Sequence, residues 1–492
     1  MKQILSYMKK YRVYAILCPL LMVLEVVADV VEPYLMSQIV NNGIVSRDIE
    51  YIVRMGILMV VVALFGMAFG VISAHAGARA GYGFAAEIRK AAFEKIQSYS
   101  FANLDQFTVS SLITRITNDC NILGQVAMMS LRMAVRAPFL MIMALIMSFS
   151  INASLARVFM VAIPITAFSI VIILKKASPL FRRLQSRVDR VNAVIQENLI
   201  GIRVVKSFNR QKFEEKKFKS RNDALRDTAL KAVSTVILLF PILNLVVYST
   251  IMAVLWFGGK QVSVGNMGSG DLIAFITYIT QVLMSLMMIS MFFMQFLRGV
   301  ASGGRILEVL NTESEIKSPE KAVKEIKDGS ITFKNVSFIY PGSREKVLKN
   351  INFHVDSGET LGIIGSTGSS KSTLVQLIPR LYDVTEGEVL VGGRNVKEYD
   401  LVALRDQVAF VLQKNTLFSG TLRENMKWGK EDATDEEIIE ALKKAQAWEF
   451  VSKYEDGLDH WVEQGGSNFS GGQKQRLCIA RALLKSPKII IL

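Results

Sequence analysis

Cysteine is scarce and scattered: Cys18, Cys120 and Cys478 are the whole complement of a 492-residue chain. Odd in number and without a C-x-x-C pair, they point away from a disulfide framework or a zinc site and fit a reducing cytosol. Acidic residues are short as well, 43 against 58 lysines and arginines, for a formal net charge of +15. Such an excess fits nucleic-acid binding or basic loops held in the cytosol, and its placement decides between them. A clean cleavage signal is also lacking. Lys9, Lys10 and Arg12 precede an apolar run, yet no small-residue site follows and the run continues through Glu25 and Asp29. The expectation is a first membrane span with its amino end inside, not a secretory leader.

Charge is absent where it matters most. A bilayer-spanning helix needs roughly 20 predominantly apolar residues. Met55–Ala74, Ala137–Leu155, Val158–Leu174, Ala232–Gly259 and Leu272–Leu297 carry no charge at all, and Val13–Met36 is a sixth candidate despite Glu25, Asp29 and Glu32. Connections on one side are short and nearly uncharged: Gln38–Val53 holds only Arg47 as a cation, Ser148–Ser154 has no charge, and Phe257–Asp271 has Lys260 as its only cation. The other connections, Lys175–Lys231 and His75–Ala127, are long and basic. Basic loops stay cytoplasmic, so both lie inside with the amino terminus. That placement accounts for much of the positive charge without nucleic acid. Arg182–Glu197 and Phe213–Leu230 show near-3.6 periodicity among their charges and are expected to prolong the spans as helical levers into the cytosol.

The composition changes after Arg298. At about 100–200 residues per domain the length allows two to four domains. The expected division is a six-helix membrane domain with two long cytoplasmic loops over 1–310, a charged linker over 311–328, and a nucleotide-binding domain over 329–492. In the last of these, Ile331, Phe333, Val336 and Phe338 approximate strand alternation, and Leu361–Ile364 reads as a buried strand running into a Gly-rich loop. Strands and helices then alternate, which predicts an α/β P-loop cassette.

The loop is Gly365-Ser366-Thr367-Gly368-Ser369-Ser370-Lys371-Ser372-Thr373. Inward-pointing backbone N–H groups in such a loop cradle phosphates and the helix dipole adds attraction. Lys371 would reach the β- and γ-phosphates of ATP, and the Ser372 hydroxyl would bind Mg²⁺. The pattern asks for glycine immediately before the lysine, and Ser370 stands there instead. If the backbone needs positive φ at that place, serine costs about 1 kcal/mol or more. Farther on, Ser470-Gly471-Gly472-Gln473 opens a second helix with hydroxyl and N–H donors suited to an anion.

These two elements in this order resemble the ATP-binding cassette transporters, whose signature is usually L-S-G-G-Q and here begins with Phe469. The resemblance extends over the chain. It implies that Tyr340 stacks on adenine, that Gln413 touches Mg²⁺ and relays nucleotide state, and that Glu463-Gln-Gly-Gly466 contacts the intracellular helices. Ser110–Asp119 and Val204-Val-Lys-Ser-Phe208 resemble the coupling regions of exporter-type membrane domains. Six spans ahead of one cassette is the order of a half-transporter. The wording of Leu255–Gly259, Phe418–Thr421 and Asn468–Arg476 is closest to the weaker-site subunit of heterodimeric bacterial multidrug exporters. In that family each ATP site joins one subunit's P-loop to the other's signature. The resemblance therefore implies that Ser470, Gly471, Gly472 and Gln473 act in trans on a partner half-transporter, and that Ser370 lies in a site that binds ATP but hydrolyses it poorly.

Lys488–Leu492 reads as the strand that should end in a magnesium-binding aspartate. By the same resemblance, that aspartate, a catalytic carboxylate and a switch histidine belong beyond Leu492, so the cassette is expected to be truncated at this strand and inactive alone. No catalytic residue is assigned within the chain. Two membrane features stay open between readings. Glu25, Asp29 and Glu32 share one face of the first span, as a cavity for cationic substrates or as an interhelical salt bridge. Met287, Met291 and Phe292 belong to an adaptable apolar set on the last span, as a hydrophobic substrate pocket or as lipid and helix contacts. The expected whole is an ATP- and Mg²⁺-dependent exporter of hydrophobic or amphipathic molecules. It spans the bacterial cell membrane many times, with its ATP-binding domain cytoplasmic. The alternatives are an ATP-binding regulatory subunit with negligible hydrolysis of its own, or an exporter of peptides.

Overall fold

The computed structural model describes residues 2–492 and divides them into two compact units, one of residues 2–93 and 114–310, the other of 94–113 and 311–492. The first unit is helical. Six helices are long and apolar enough to cross a membrane: Gln3–Ile44, Ile49–Gln97, Val109–Ile151, Ala153–Ile200, Gln211–Ser263 and Ser269–Asn311. Five of them contain a whole charge-poor window, and the window Ala137–Leu155 overruns the third helix, which ends at Ile151, into the start of the fourth. The basic loops prove helical, as the periodicity predicts, with the fourth and fifth helices running unbroken to Ile200 and from Gln211. A short helical turn, Ile202–Ser207, joins them. Outer connections are tight: Asn152 caps the fourth helix by accepting from the Leu155 N–H at 3.0 Å.

Shape and hydrogen bonding, not a solvent-driven hydrophobic effect, hold helices together in lipid. The second and third helices approach closely at Gly81 and Gly124. A Cβ on Gly81 would lie 2.7 Å from the Gly124 carbonyl, and one on Gly124 2.8 Å from Ala85 Cβ. The first and sixth helices share Val26, Val30, Phe275, Tyr278, Ile279 and Val282 in one buried cluster. Tyr278 donates its hydroxyl to the Val30 carbonyl at 2.8 Å. Near the cytoplasmic end, fully buried Asp119 accepts from Arg305 Nε at 2.8 Å and from Ser302 Oγ at 2.9 Å, fastening the third helix to the sixth.

The second unit is α/β. Its first secondary element is the helix α1 (Phe101–Gln106), capped by a reciprocal Ser100–Asn103 box. Strands β1 (Ile331–Phe338), β2 (Leu348–Val355), β3 (Glu386–Val391) and β4 (Arg394–Asn395) form an antiparallel sheet in the order β2-β1-β3-β4. Helix α2 (Lys371–Gln376) follows the Gly-rich loop, and α3 (Leu401–Gln407) precedes β5 (Val408–Phe410). Strands β6 (Gly420–Thr421) and β7 (Trp461–Val462) form a separate antiparallel pair, and β5 pairs in parallel with β8 (Ile489–Ile491). Around this sheet Phe333, Phe338, Leu377, Tyr382, Tyr399 and Ile489 bury a core that also takes in Ala102 of α1. Ile326, from the stretch read as linker, is 2% exposed in the same core. A second core joins α4 (Leu422–Lys427), α5 (Asp435–Lys444) and α6 (Gly471–Leu484) through Leu422, Ile438, Leu442 and Leu477.

One expectation fails. Leu361–Ile364 forms no strand, and Ile364 is 99% exposed. An apolar run becomes a strand only when a neighbour takes its backbone N–H and C=O groups. Leu361 and Ile363 face Ile489–Leu492 across a cleft of about 550 Å³, and no ladder forms between this run and β8.

Candidate functional site

The Gly-rich loop is exposed from Gly365 to Ser369 and enters α2 at Ser370. Its backbone turns left-handed at Gly368 (φ 86°) and again at Ser370 (φ 62°, ψ 24°). The positive φ is thus present where serine replaces glycine, and the Ser370 side chain makes no capping bond in compensation. Lys371 Nζ donates to the Gly365 carbonyl at 2.7 Å and the Ser366 carbonyl at 2.9 Å, with Ser369 Oγ at 3.3 Å. The ammonium therefore folds back over its own loop. Ser372 is exposed on the first turn of α2, and Thr373 is buried behind it.

Tyr340 lies within this group. Its hydroxyl shares a hydrogen bond with Thr373 Oγ1 at 2.9 Å, which joins the aromatic after β1 to the helix that follows the phosphate loop. Its ring meets Phe338 and Tyr382 edge-on, at centroid distances of 4.9 and 5.3 Å. Gln413 is not drawn in: it stands exposed in the turn after β5 and makes no hydrogen bond with Ser372. The loop carrying it is anchored behind by Arg481 of α6, which donates to the Thr416 carbonyl at 3.3 Å and to the Asn425 carbonyl at 2.9 Å. Burial pulls the Arg481 guanidinium below its ordinary range.

The second anion-type turn is a capped helix start. Ser470 Oγ accepts from the Gln473 N–H at 3.3 Å, and the Gln473 side chain accepts from the Ser470 N–H at 2.8 Å. Added Cβ atoms on Gly471 or Gly472 would meet nothing within 4 Å, so this face is open. Phe469, where the usual pattern has leucine, is buried edge-on against Tyr454. Among the described residues no hydrogen bond or ion pair joins this turn to the Lys371 loop. A composite site that needs both elements is incomplete in one chain.

In the membrane unit, Glu25 and Asp29 both pair with Arg136 of the third helix, Asp29 at 2.8 Å. Gln281 of the sixth helix donates to the Asp29 carbonyl at 3.0 Å. Glu25 Oε2 and Gln281 Oε1 are buried and accept no hydrogen bond. Met287, Met291 and Phe292 follow Gln281 on the sixth helix. Met291 is half exposed, and the Phe292 ring packs on Phe296 at 5.9 Å rather than on the acidic face. Arg136 escapes a reading of the sequence because it lies one residue outside the uncharged window Ala137–Leu155. A cation at that boundary, opposite acids in another span, was the available signal. Tyr382 and Asp105 escape it too, since 277 residues separate them.

Six apolar helices joined to a sheet-containing cassette with a phosphate loop and a Ser-Gly-Gly helix start define an ATP-driven half-transporter. Residues 15–286 match the family model of the ABC transporter transmembrane region, and residues 348–492 match the family model described as ABC transporter. The chain belongs to the ABC transporters. It is 37% identical to the uncharacterized ABC transporter ATP-binding protein YfiB of Bacillus subtilis (strain 168) over 492 residues, all of this chain and 86% of that protein. It is 37% identical over 488 residues to the uncharacterized ABC transporter ATP-binding protein MT1311 of Mycobacterium tuberculosis (strain CDC 1551 / Oshkosh), 98% of this chain and 84% of the relative. An ATP-dependent lipid A-core flippase of Syntrophus aciditrophicus (strain SB) is 31% identical over 408 residues, 83% and 68% of the two chains. The protein is a multi-pass bacterial membrane transport ATPase of exporter type, with a cytoplasmic nucleotide-binding domain and a half-transporter architecture that implies dimerisation.

Proposed function

We propose that this half-exporter uses ATP with Mg²⁺ to move amphipathic, lipid-like molecules across the cell membrane, paired with a different half-transporter. The observation that carries the ATP site is Lys371 folded onto Gly365 and Ser366, beside a Tyr340 tied through Thr373 to the same helix. In this reading Gly365–Thr373 cradle the phosphates, Tyr340 supports adenine, and Ser372 with Gln413 holds the Mg²⁺. Ser470–Gln473 complete the partner's site. Heterodimer pairing is supported by Ser370, whose strained backbone and side chain belong to a site that retains ATP rather than one that turns it over.

Two relatives named ATP-dependent lipid A-core flippase, 31% and 29% identical, support a lipid-like cargo. The methionines and phenylalanines of the sixth helix supply an adaptable apolar wall for its tails. Glu25 and Asp29 stand at the polar end of that path, held by Arg136. The exposed tip between the fourth and fifth helices, with Ile200, Val204 and Phe208, supplies apolar surface for the partner.

The test is reconstitution of the chain, with and without its genomic neighbour, in vesicles carrying a fluorescent-tailed phospholipid. ATP-dependent movement of the probe is expected only for the pair, with the Lys371→Ala pair inactive. Full activity of this chain by itself would overturn the heterodimer. Probe movement indifferent to ATP would overturn the exporter reading, and movement indifferent to Lys371 would overturn the role of this loop in holding ATP.

A further inference from the structure

The nucleotide-side aromatic and α1 meet at one residue that the phosphate-loop reading leaves unused. Tyr382 is only 7% exposed, lies beyond α2, and touches both. Its ring stands edge-on to Tyr340 at 5.3 Å and 85°, and packs on Phe101 at 6.0 Å. Its hydroxyl donates to Asp105 Oδ2 at 2.7 Å. On the other side, Tyr340 is bonded to Thr373, two residues after Lys371. Burial, and the Asp105 carboxylate that the phenol donates to, raise the Tyr382 hydroxyl above its ordinary range, so it stays a donor at neutral pH.

Helix α1 also touches the cassette elsewhere, with Phe101 packed against the same core. It is six residues long, caps itself through Ser100 and Asn103, and reaches the cassette through buried Ala102 and the Asn103 side chain, which donates to the Glu313 carbonyl at 3.1 Å. So short a helix has little stability of its own and takes its order from what it packs on.

We infer that Tyr382 is a positioning residue that reports occupancy of the Tyr340 site to α1 through its hydrogen bond to Asp105. The inference rests on Tyr340 being the adenine platform. A purine on one face of Tyr340 fixes that ring. An edge-on neighbour is then fixed with it, because tilting Tyr382 would break the ring contact and the bond to Asp105 together. Ordering of α1 and binding of nucleotide are thereby one coupled equilibrium, and the coupling works in both directions.

The experiment is hydrogen exchange of residues 101–106 in the full chain, in lipid nanodiscs, with and without ATP, beside a fluorescent-ATP titration. In the wild type, ATP is expected to slow exchange in this segment about 5- to 20-fold, within the usual range of coupling between sites. Tyr382→Phe keeps the ring and removes the donor. It should bind ATP within about twofold of wild type while the ATP-dependent slowing falls to about onefold. Asp105→Asn should lose the same difference, and the double variant should lose nothing more. A purely structural tyrosine would speed exchange equally in both states and leave their ratio intact, and that result overturns the inference. Tyr340→Ala separates the two readings, because it removes adenine binding if Tyr340 is the platform. ATP binding unaffected by Tyr340→Ala, or absent from the wild type, overturns the platform and the relay together. ATP binding lost in Tyr340→Ala, with slowing retained in Tyr382→Phe, overturns the relay alone.

Discussion

Replacing Ser370 by glycine should stabilise this protein, although it removes a side chain at a helix N-terminus. An N-cap serine normally contributes about 1 kcal/mol by accepting a backbone N–H. Ser370 accepts none, because its backbone is left-handed at φ 62°, ψ 24°. A left-handed residue with a Cβ costs about 1–2 kcal/mol, whereas glycine there avoids that strain and loses about 0.5–1 kcal/mol in extra chain entropy. The balance favours glycine by about 0.5–1 kcal/mol. For a unit of about 200 residues that is a rise in Tm of about 1–4 °C. Intrinsic fluorescence is a suitable readout, since Trp428, Trp448 and Trp461 lie in the cassette unit and Trp256 alone lies in the membrane unit. Ser370→Ala is the control: it keeps the Cβ and its strain and should show no rise. ATP binding by Ser370→Gly should be at least as tight as wild type, because Ser370 contributes no capping bond. A fall in Tm for Ser370→Gly, or an equal rise for Ser370→Ala, would refute the strain argument.

Four further outcomes are expected. Lys371→Ala should weaken ATP binding about 10- to 100-fold, or about 1.4–2.8 kcal/mol, in a fluorescent-nucleotide titration, with little change in Tm. Arg136→Leu leaves Glu25 and Asp29 without their cation inside the membrane and should cost about 3–5 kcal/mol, read as loss of monodisperse protein. Adding Glu25→Gln and Asp29→Asn should restore it, and wild-type behaviour of Arg136→Leu alone would assign the acids to the transport path instead. Asn425→Ala removes a 1% exposed amide that bonds Phe418 on both its N–H and C=O and accepts from Arg481; it should cost about 3 kcal/mol and lower Tm by about 6–12 °C. Asp400 accepts from the Ala403 and Val402 N–H groups and from Ser318, and the first of these contributes most to holding its carboxyl below the ordinary range. A lowered folded-state value stabilises above the ordinary carboxylate pKa and is lost as pH falls through the folded one. The cassette's Tm should therefore drop less between pH 6 and pH 3 in Asp400→Asn than in wild type.

The six spans, their inside–outside order and both Gly-rich helix-opening turns follow from local composition. A run such as Leu272–Leu297 has no water-stable alternative, and a Gly-Lys-Ser-type turn draws its properties from residues next to each other. The condition attached to Ser370 was legible in the same way, because a glycine-requiring place can be named before its φ is known. Tertiary structure decided what depended on distant partners. Leu361–Ile364 has a strand's composition, yet a strand exists only with a ladder neighbour, and a cleft separates this run from β8. Glu25 and Asp29 could have faced a cavity or a cation until the third helix brought Arg136 beside them. Tyr382 had no visible role until the fold closed the chain between it and Asp105. The phosphate loop was evident from residues a few places apart. What holds its aromatic in position came from pairing across the chain, and sequence spacing carries no record of that.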